Sequence, residues 1–124
     1  MGNQTLKIQS FTDLNAWKEG HRLVLAVYKH TQEFPKEEKF ALIDQLRRSA
    51  ISITSNLAEG FSRFGKSEKK QFYRIALGSL TELQNQLLIA RDLGYISKKD
   101  FNNLANMTVA VSKMINGLIK SLNT

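Results

Sequence analysis

The side chains best suited to acid–base or nucleophilic chemistry in this sequence fall on two stretches. Gln45, Ser49, Ser52, Asn56 and Glu59 recur at spacings of three and four, which places them on one face of a helix. Ser79, Glu82 and Gln86 repeat the pattern further along. As an enzyme, Glu59 and Glu82 would form a general acid–base pair, with Ser52 or Ser49 as nucleophile. A serine hydroxyl needs a neighbouring base, and no histidine lies at helical spacing from either serine. The alternative is structural. Small hydroxyls let two helices approach closely, while Asn56, Glu59, Glu82 and Gln86 hydrogen-bond across the gap. Each buried polar group left unpaired costs roughly 1–3 kcal/mol, so such a layer fixes register. We read the stripe as structural and expect no enzymatic activity.

Metal and phosphate chemistry find little footing. A di-iron bundle needs Glu-x-x-His on two helices. Lys18 stands three residues before His21, and Val27 three before His30. His21, on the stripe with Trp17 and Val24, is expected to be a buried or interfacial structural residue. Gly60 to Ser67 ends in Gly-Lys-Ser, but the glycine spacing only partly matches a phosphate-binding loop and no strand precedes it. No cofactor is expected.

These residues must be positioned by helices. One proline, no cysteine and no alternating strand pattern leave helical periodicity as the dominant signal across 124 residues. The first helix is expected from Thr12 to Glu33, capped by Thr12 or Asp13, with a stripe of Leu14, Trp17, His21, Val24, Tyr28 and Thr31. Pro35 suits the start of the second, Lys36 to Glu59, with a stripe of Ile43, Leu46, Ala50, Ile53 and Leu57. Gly60 is expected to close it in a left-handed conformation. Ser67 caps the third, which reaches Leu93 and ends at Gly94. Ser97 and Asp100 open the fourth, whose seam is Phe101, Leu104, Thr108, Val111, Ile115, Leu118 and Leu122. Short links favour antiparallel neighbours. The expectation is an all-α, up-down-up-down four-helix bundle over residues 11–124, with residues 1–10 as a loosely held arm.

The third helix carries Tyr73, Leu77, Leu80 and Leu87 beside a stripe of Phe72, Ala76, Leu83 and Ala90. A helix apolar around most of its circumference needs cover on more than one face. A second copy is the expected cover, with Tyr73, Leu77, Leu80 and Leu87 at a homo-oligomer interface.

Charge points to a partner. The formal net charge is +7, from 18 Lys and Arg against 11 Asp and Glu. Residues 41–74 hold seven of the basic side chains, Arg47, Arg48, Arg63, Lys66, Lys69, Lys70 and Arg74, against three acidic ones. The cluster reads either as a footprint for RNA or DNA or as a solubilising face. Another protein with an acidic surface is the alternative partner, and Arg47 or Arg48 has a competing role as ion-pair partner to Glu59 or Glu82. No apolar run is long enough for a signal peptide or a membrane span, so a cytoplasmic protein is expected.

The pattern of residues resembles a known family. It comprises Phe11, Asp13, Leu14 and Trp17; Tyr28, Thr31, Phe34 and Pro35; Gln45 to Arg48; Ser52-Ile53, Ser55-Asn56 and Ala58-Glu59-Gly60; Ala76 to Ser79, Glu82-Leu83, Gln86-Leu87 and Leu93-Gly94-Tyr95. In these the chain resembles the bacterial four-helix-bundle proteins encoded in intervening sequences of 23S ribosomal RNA genes. Thr54 stands where relatives commonly have proline, and Gln84-Asn85 where they have Glu-Thr. The resemblance implies a ring, commonly a pentamer, with no established enzymatic activity. The family is also similar to accessory proteins of diversity-generating retroelements, basic pentameric barrels that bind nucleic acid.

Overall fold

The computed structural model describes residues 8–123. Four helices follow in order: α1 (Asn15–Thr31), α2 (Leu42–Ser62), α3 (Lys66–Asp92) and α4 (Lys98–Ser121). Short 3-10 turns at Phe11–Asp13 and Lys36–Glu38 precede the first two. Each helix packs against its neighbours in a closed ring, α1 on α2, α2 on α3, α3 on α4 and α4 on α1. The pairings are antiparallel. Thr31 at the end of α1 meets Arg47 near the start of α2, and Gly60 at the end of α2 meets Tyr73 near the start of α3. The up-down-up-down bundle is as expected, and no helix among the described residues is long and apolar enough to cross a membrane.

Several ends differ from the expected ones for local reasons; α2, expected from Lys36, begins at Leu42, after the 3-10 turn that follows Pro35. Ser10, rather than Thr12 or Asp13, caps the first turn; its hydroxyl accepts from Thr12 N at 3.2 Å while Asp13 accepts from Ser10 N. Of the expected arm, residues 1–7 lie outside the described residues, and Ser10 is already tied to the bundle's first turn. Gly60 is helical and buried, so it does not close α2 by turning left-handed. It is needed for space: a β-carbon there would sit 2.7 Å from Cε1 and 2.9 Å from Cδ1 of Tyr73. Gly65, not Ser67, caps α3. Gly94 does end α3 at φ 78°, with Tyr95 N donating to Ala90 O at 2.9 Å.

The core is built from Leu23, Val27, Leu46, Ile53, Leu57, Leu83, Leu104 and Ile115, with others around them. Truncating any of these to alanine should cost about 2–5 kcal/mol. The α2 stripe and the centre of the α4 seam are buried as expected. The α1 stripe holds at its two ends, where Leu14 and Thr31 are buried, and is displaced by one position between them. Its buried line is Ala16, Gly20, Leu23, Val27 and Thr31, leaving Trp17, Val24 and Tyr28 half-covered and His21 exposed, stacked on Trp17 at 4.8 Å. The small residues Ala16 and Gly20 set the approach, because Gly20 lets α1 come close enough that a β-carbon would lie 3.1 Å from Thr54 Cγ2.

The expected oligomer interface is corrected at three of its four positions. Tyr73, Leu80 and Leu87, each 2% exposed, lie in the chain's own core; Leu77 is half-buried. The reason is the bundle's geometry. Because α3 packs on both α2 and α4, its two apolar stripes are covered by two neighbours of the same chain. The apolar residues it leaves exposed are Ile75, Leu88 and Ile89.

Candidate nucleic-acid interface

The α2–α3 seam holds the polar layer. Ser49 and Ser79 are buried, and Ser52 and Asn56 half-buried. Ser52 Oγ lies 2.7 Å from Ser79 Oγ, and Asn56 Nδ2 donates to Ser52 O at 2.8 Å and to Ser52 Oγ at 3.1 Å. Small residues on both sides permit this approach, and the hydroxyl pair clamps the helices in register. The carboxylates do not join it. Glu59 is exposed and binds Arg63 one turn on, at 2.7 Å, while Glu82 is exposed; neither hydrogen-bonds Ser49 or Ser52 among the described residues. Gln45 is exposed, and Gln86 keeps a buried Oε1 with no donor among the described residues. What the seam does chemically is bind two helices together.

The basic cluster divides in two. Sixteen residues of α2 separate Arg47 from Arg63, roughly 24 Å along the helix axis, so the seven cations do not form one patch. Arg47 faces α1: its Nε donates to Thr31 Oγ1 at 2.9 Å and its guanidinium lies 4.4 Å over the Tyr28 ring. Arg48 is exposed. Neither pairs with Glu59 or Glu82 among the described residues.

Arg63, Lys66, Lys69, Lys70 and Arg74 gather at the α2–α3 turn. Arg63 and Lys69 are held by groups of the turn itself. Arg63 is held by Glu59 and by the Phe72 ring at 4.9 Å. Lys69 Nζ donates to Phe61 O at 2.7 Å, satisfying a carbonyl that the end of α2 leaves open. Lys66, Lys70 and Arg74 follow at intervals of four along α3, which aligns them on one side of the helix. Lys66 and Arg74 are exposed and Lys70 half-exposed, its Nζ reaching Asn123 Oδ1.

This stripe opposes the local physics of its helix. Lys66, in the first turn, faces the positive end of the helix dipole, at a cost of about 0.3–1 kcal/mol. Like charges four apart cost about 0.2–0.5 kcal/mol per pair. Glu68 is the acidic residue in that first turn. Gly65 supplies no side chain to cap the open amides. Amides and cations together leave a concentrated positive field at this end.

Phe64 completes the arrangement and was not singled out from the sequence. It stands between Arg63 and Gly65 in the turn, with its ring wholly in solvent at 101% relative exposure. The signal was present as an aromatic inside a short basic, glycine-containing link, a setting with no core to receive it.

A family model described as 23S rRNA-intervening sequence protein matches residues 12–117. Among solved structures, the chain is similar to a protein of unknown function from the S23 ribosomal protein family of Bacteroides thetaiotaomicron VPI-5482. The identity is 19% and the TM-score 0.76, over 85% of this chain and 98% of that one. That likeness establishes a shared fold. No curated protein matches the sequence.

Proposed function

The chain belongs to the 23S rRNA-intervening sequence protein family, and we propose that it acts as a non-enzymatic nucleic-acid-binding bundle whose binding surface is the α2–α3 turn. The observation that carries this is the stripe Lys66, Lys70 and Arg74 beside the fully solvated Phe64. Cations neutralise phosphates without regard to sequence, and an exposed ring stacks on any unpaired base. Such a surface favours single strands, where bases are free to stack. Fluorescence anisotropy with a labelled single-stranded RNA tests it. Binding that weakens with salt and vanishes on charge reversal at Lys66, Lys70 and Arg74 is expected; unaltered binding by that variant removes the surface from consideration.

Self-association forms part of the same proposal. Ile75, Glu82 and Ile89 recur every seven residues on α3, a spacing that keeps them on one side. Both isoleucines are exposed. A second copy docking there would cover the isoleucines. A ring of five, which the sequence resemblance implies, would multiply the basic turns and strengthen weak binding by avidity. Light scattering should give a multiple of the 14.1 kDa chain mass, falling to the single-chain mass for Ile75→Glu/Ile89→Glu. A wild-type monomer at micromolar concentration would defeat this element while leaving the turn's binding to be judged separately.

A further inference from the structure

At the opposite end of α2 lies a second group of cations, of a different shape. Thr31, Gln32, Phe34, Lys36, Lys39, Ile43 and Arg47 line a cavity of about 420 Å³ at the α1–α2 junction. That is within the size range of small-molecule sites, roughly 300–1,000 Å³. Three of the lining side chains are cations and none is a carboxylate. Phe34 and Ile43, both buried, provide an apolar floor.

Arg47 is the informative member. It is half-buried, yet no carboxylate lies within 4 Å of it among the described residues. Its guanidinium is oriented in advance. Nε donates to Thr31 Oγ1 at 2.9 Å, and Thr31 is itself buried and anchored by donating to Val27 O at 2.7 Å. Nη2 reaches Tyr28 O at a long 3.5 Å, and the Tyr28 ring at 4.4 Å fixes the plane. This leaves Nη1 with no acceptor among the described residues, although a planar guanidinium is built to offer paired donors to an oxyanion. Holding a partly desolvated cation without a counter-charge costs stability, which a bound anion would restore.

The carboxylates nearest in sequence are engaged elsewhere or turned away. Glu38 accepts from Tyr95 Oη at 2.8 Å and from Leu42 N at 3.4 Å. Glu33, Glu37 and Asp44 are exposed and do not line the cavity. Lys36 and Lys39 are both exposed, so they reach an incoming anion without first being stripped of water by the protein.

We propose that this cavity binds a phosphate monoester, with Arg47 as the oriented fork and Lys36 and Lys39 as flanking charges. Three lining cations match a monoester, which carries close to two negative charges at neutral pH, better than a singly charged diester. The site stands independently of the α2–α3 turn, on different residues and the other end of the helix. The monoester could be a small molecule or the terminal phosphate of a strand; the chemistry recognised is the same.

The test is a titration of the isotopically labelled full chain with inorganic phosphate, following the amides of Thr31, Gln32 and Ile43. Saturable shifts at these amides are expected, and Lys36→Gln/Lys39→Gln should weaken binding by about 10-fold or more. Both lysines are exposed, so that variant keeps the fold. Arg47→Lys, which keeps the charge and loses the fork, should weaken it also. Charge reversal at Lys66, Lys70 and Arg74 should leave the phosphate titration unchanged. Absent or unsaturable shifts at these amides, or equal affinity in the Lys36→Gln/Lys39→Gln variant, would overturn the site. Adenosine 5′-monophosphate against adenosine, and a 5′-phosphorylated against a 5′-hydroxyl trinucleotide, then identify the carrier. Preference for the phosphorylated member of either pair supports the proposal, and equal binding within both pairs contradicts it.

Discussion

The two ends of α2 each present three cations, on opposite shapes. At the α1–α2 junction, Lys36, Lys39 and Arg47 surround a concavity with a buried apolar floor. At the α2–α3 turn, Lys66, Lys70 and Arg74 run along a helix beside a protruding ring. A concave set converges on one anion and is satisfied by it. A convex row has no common focus and is satisfied only by an extended polyanion. Shape therefore separates a discrete phosphate site from a polynucleotide surface where a count of these cations could not. Salt sensitivity should separate them as well, because only a polyanion sheds condensed counterions on binding.

The largest expected effect breaks the convex end alone. Lys66→Glu/Lys70→Glu/Arg74→Glu should weaken single-stranded RNA binding by about 100-fold or more at low salt, since each charge-assisted hydrogen bond removed is worth roughly 1.5–3 kcal/mol. Anisotropy measures this, and Lys36→Gln/Lys39→Gln serves as the control that should change polynucleotide binding little. Gly60→Ala attacks the joint that places the turn. The alanine gains about 1 kcal/mol of helix propensity but drives its β-carbon into the Tyr73 ring, which is buried and cannot retreat. We expect a net loss of about 1–3 kcal/mol in chemical denaturation, typical of overpacking.

Phe64→Ala sharpens the comparison further. The ring touches no core, so the melting temperature should stay put. Single-strand affinity should fall about 10-fold, from a stacking contribution of roughly 1–3 kcal/mol, with duplex binding nearly unchanged. The smallest effect concerns the concave end. The Tyr95 hydroxyl donates to Glu38 at 2.8 Å, tying the α3–α4 link to the α1–α2 junction. That hydrogen bond, then burial and the charges of Glu38 and Glu37, raise its pKa above the ordinary 10.0. Burial raises that of Tyr73 likewise. A raised phenol pKa means the folded state favours the neutral form. Its contribution is fully present below pH 10.0 and is lost as pH rises through the folded value. Tyr95→Phe should reduce the alkaline fall in stability, leaving the part due to Tyr73.

The bundle was legible because its helices carry unbroken periodicity between clear breakers. The α2 stripe and the centre of the α4 seam were placed residue by residue. Between Leu14 and Thr31 the α1 stripe was misplaced by one position, since Trp17, His21 and Tyr28 outweigh Ala16 and Gly20 in hydrophobic size although Gly20 lies against α2. The same weakness affected α3. Counting apolar residues around its circumference could not tell whether Tyr73, Leu80 and Leu87 are covered by the chain's own α2 and α4 or by another copy. The polar seam was half legible: Ser52, Asn56 and Ser79 do meet, whereas Glu59 turns to Arg63. The junction cavity was hidden because Lys36 and Lys39 lie eight or more positions from Arg47, and only the turn at Phe34 to Ala41 folds them together.

The salt dependence of single-stranded RNA binding tests the central claim most directly. With wild type and Lys66→Gln/Lys70→Gln/Arg74→Gln measured side by side, the slope of log affinity against log salt should be shallower by about 2 in the variant, at roughly 0.7 for each phosphate no longer neutralised. Parallel lines for the two proteins would show that these cations meet no phosphates and would contradict the account.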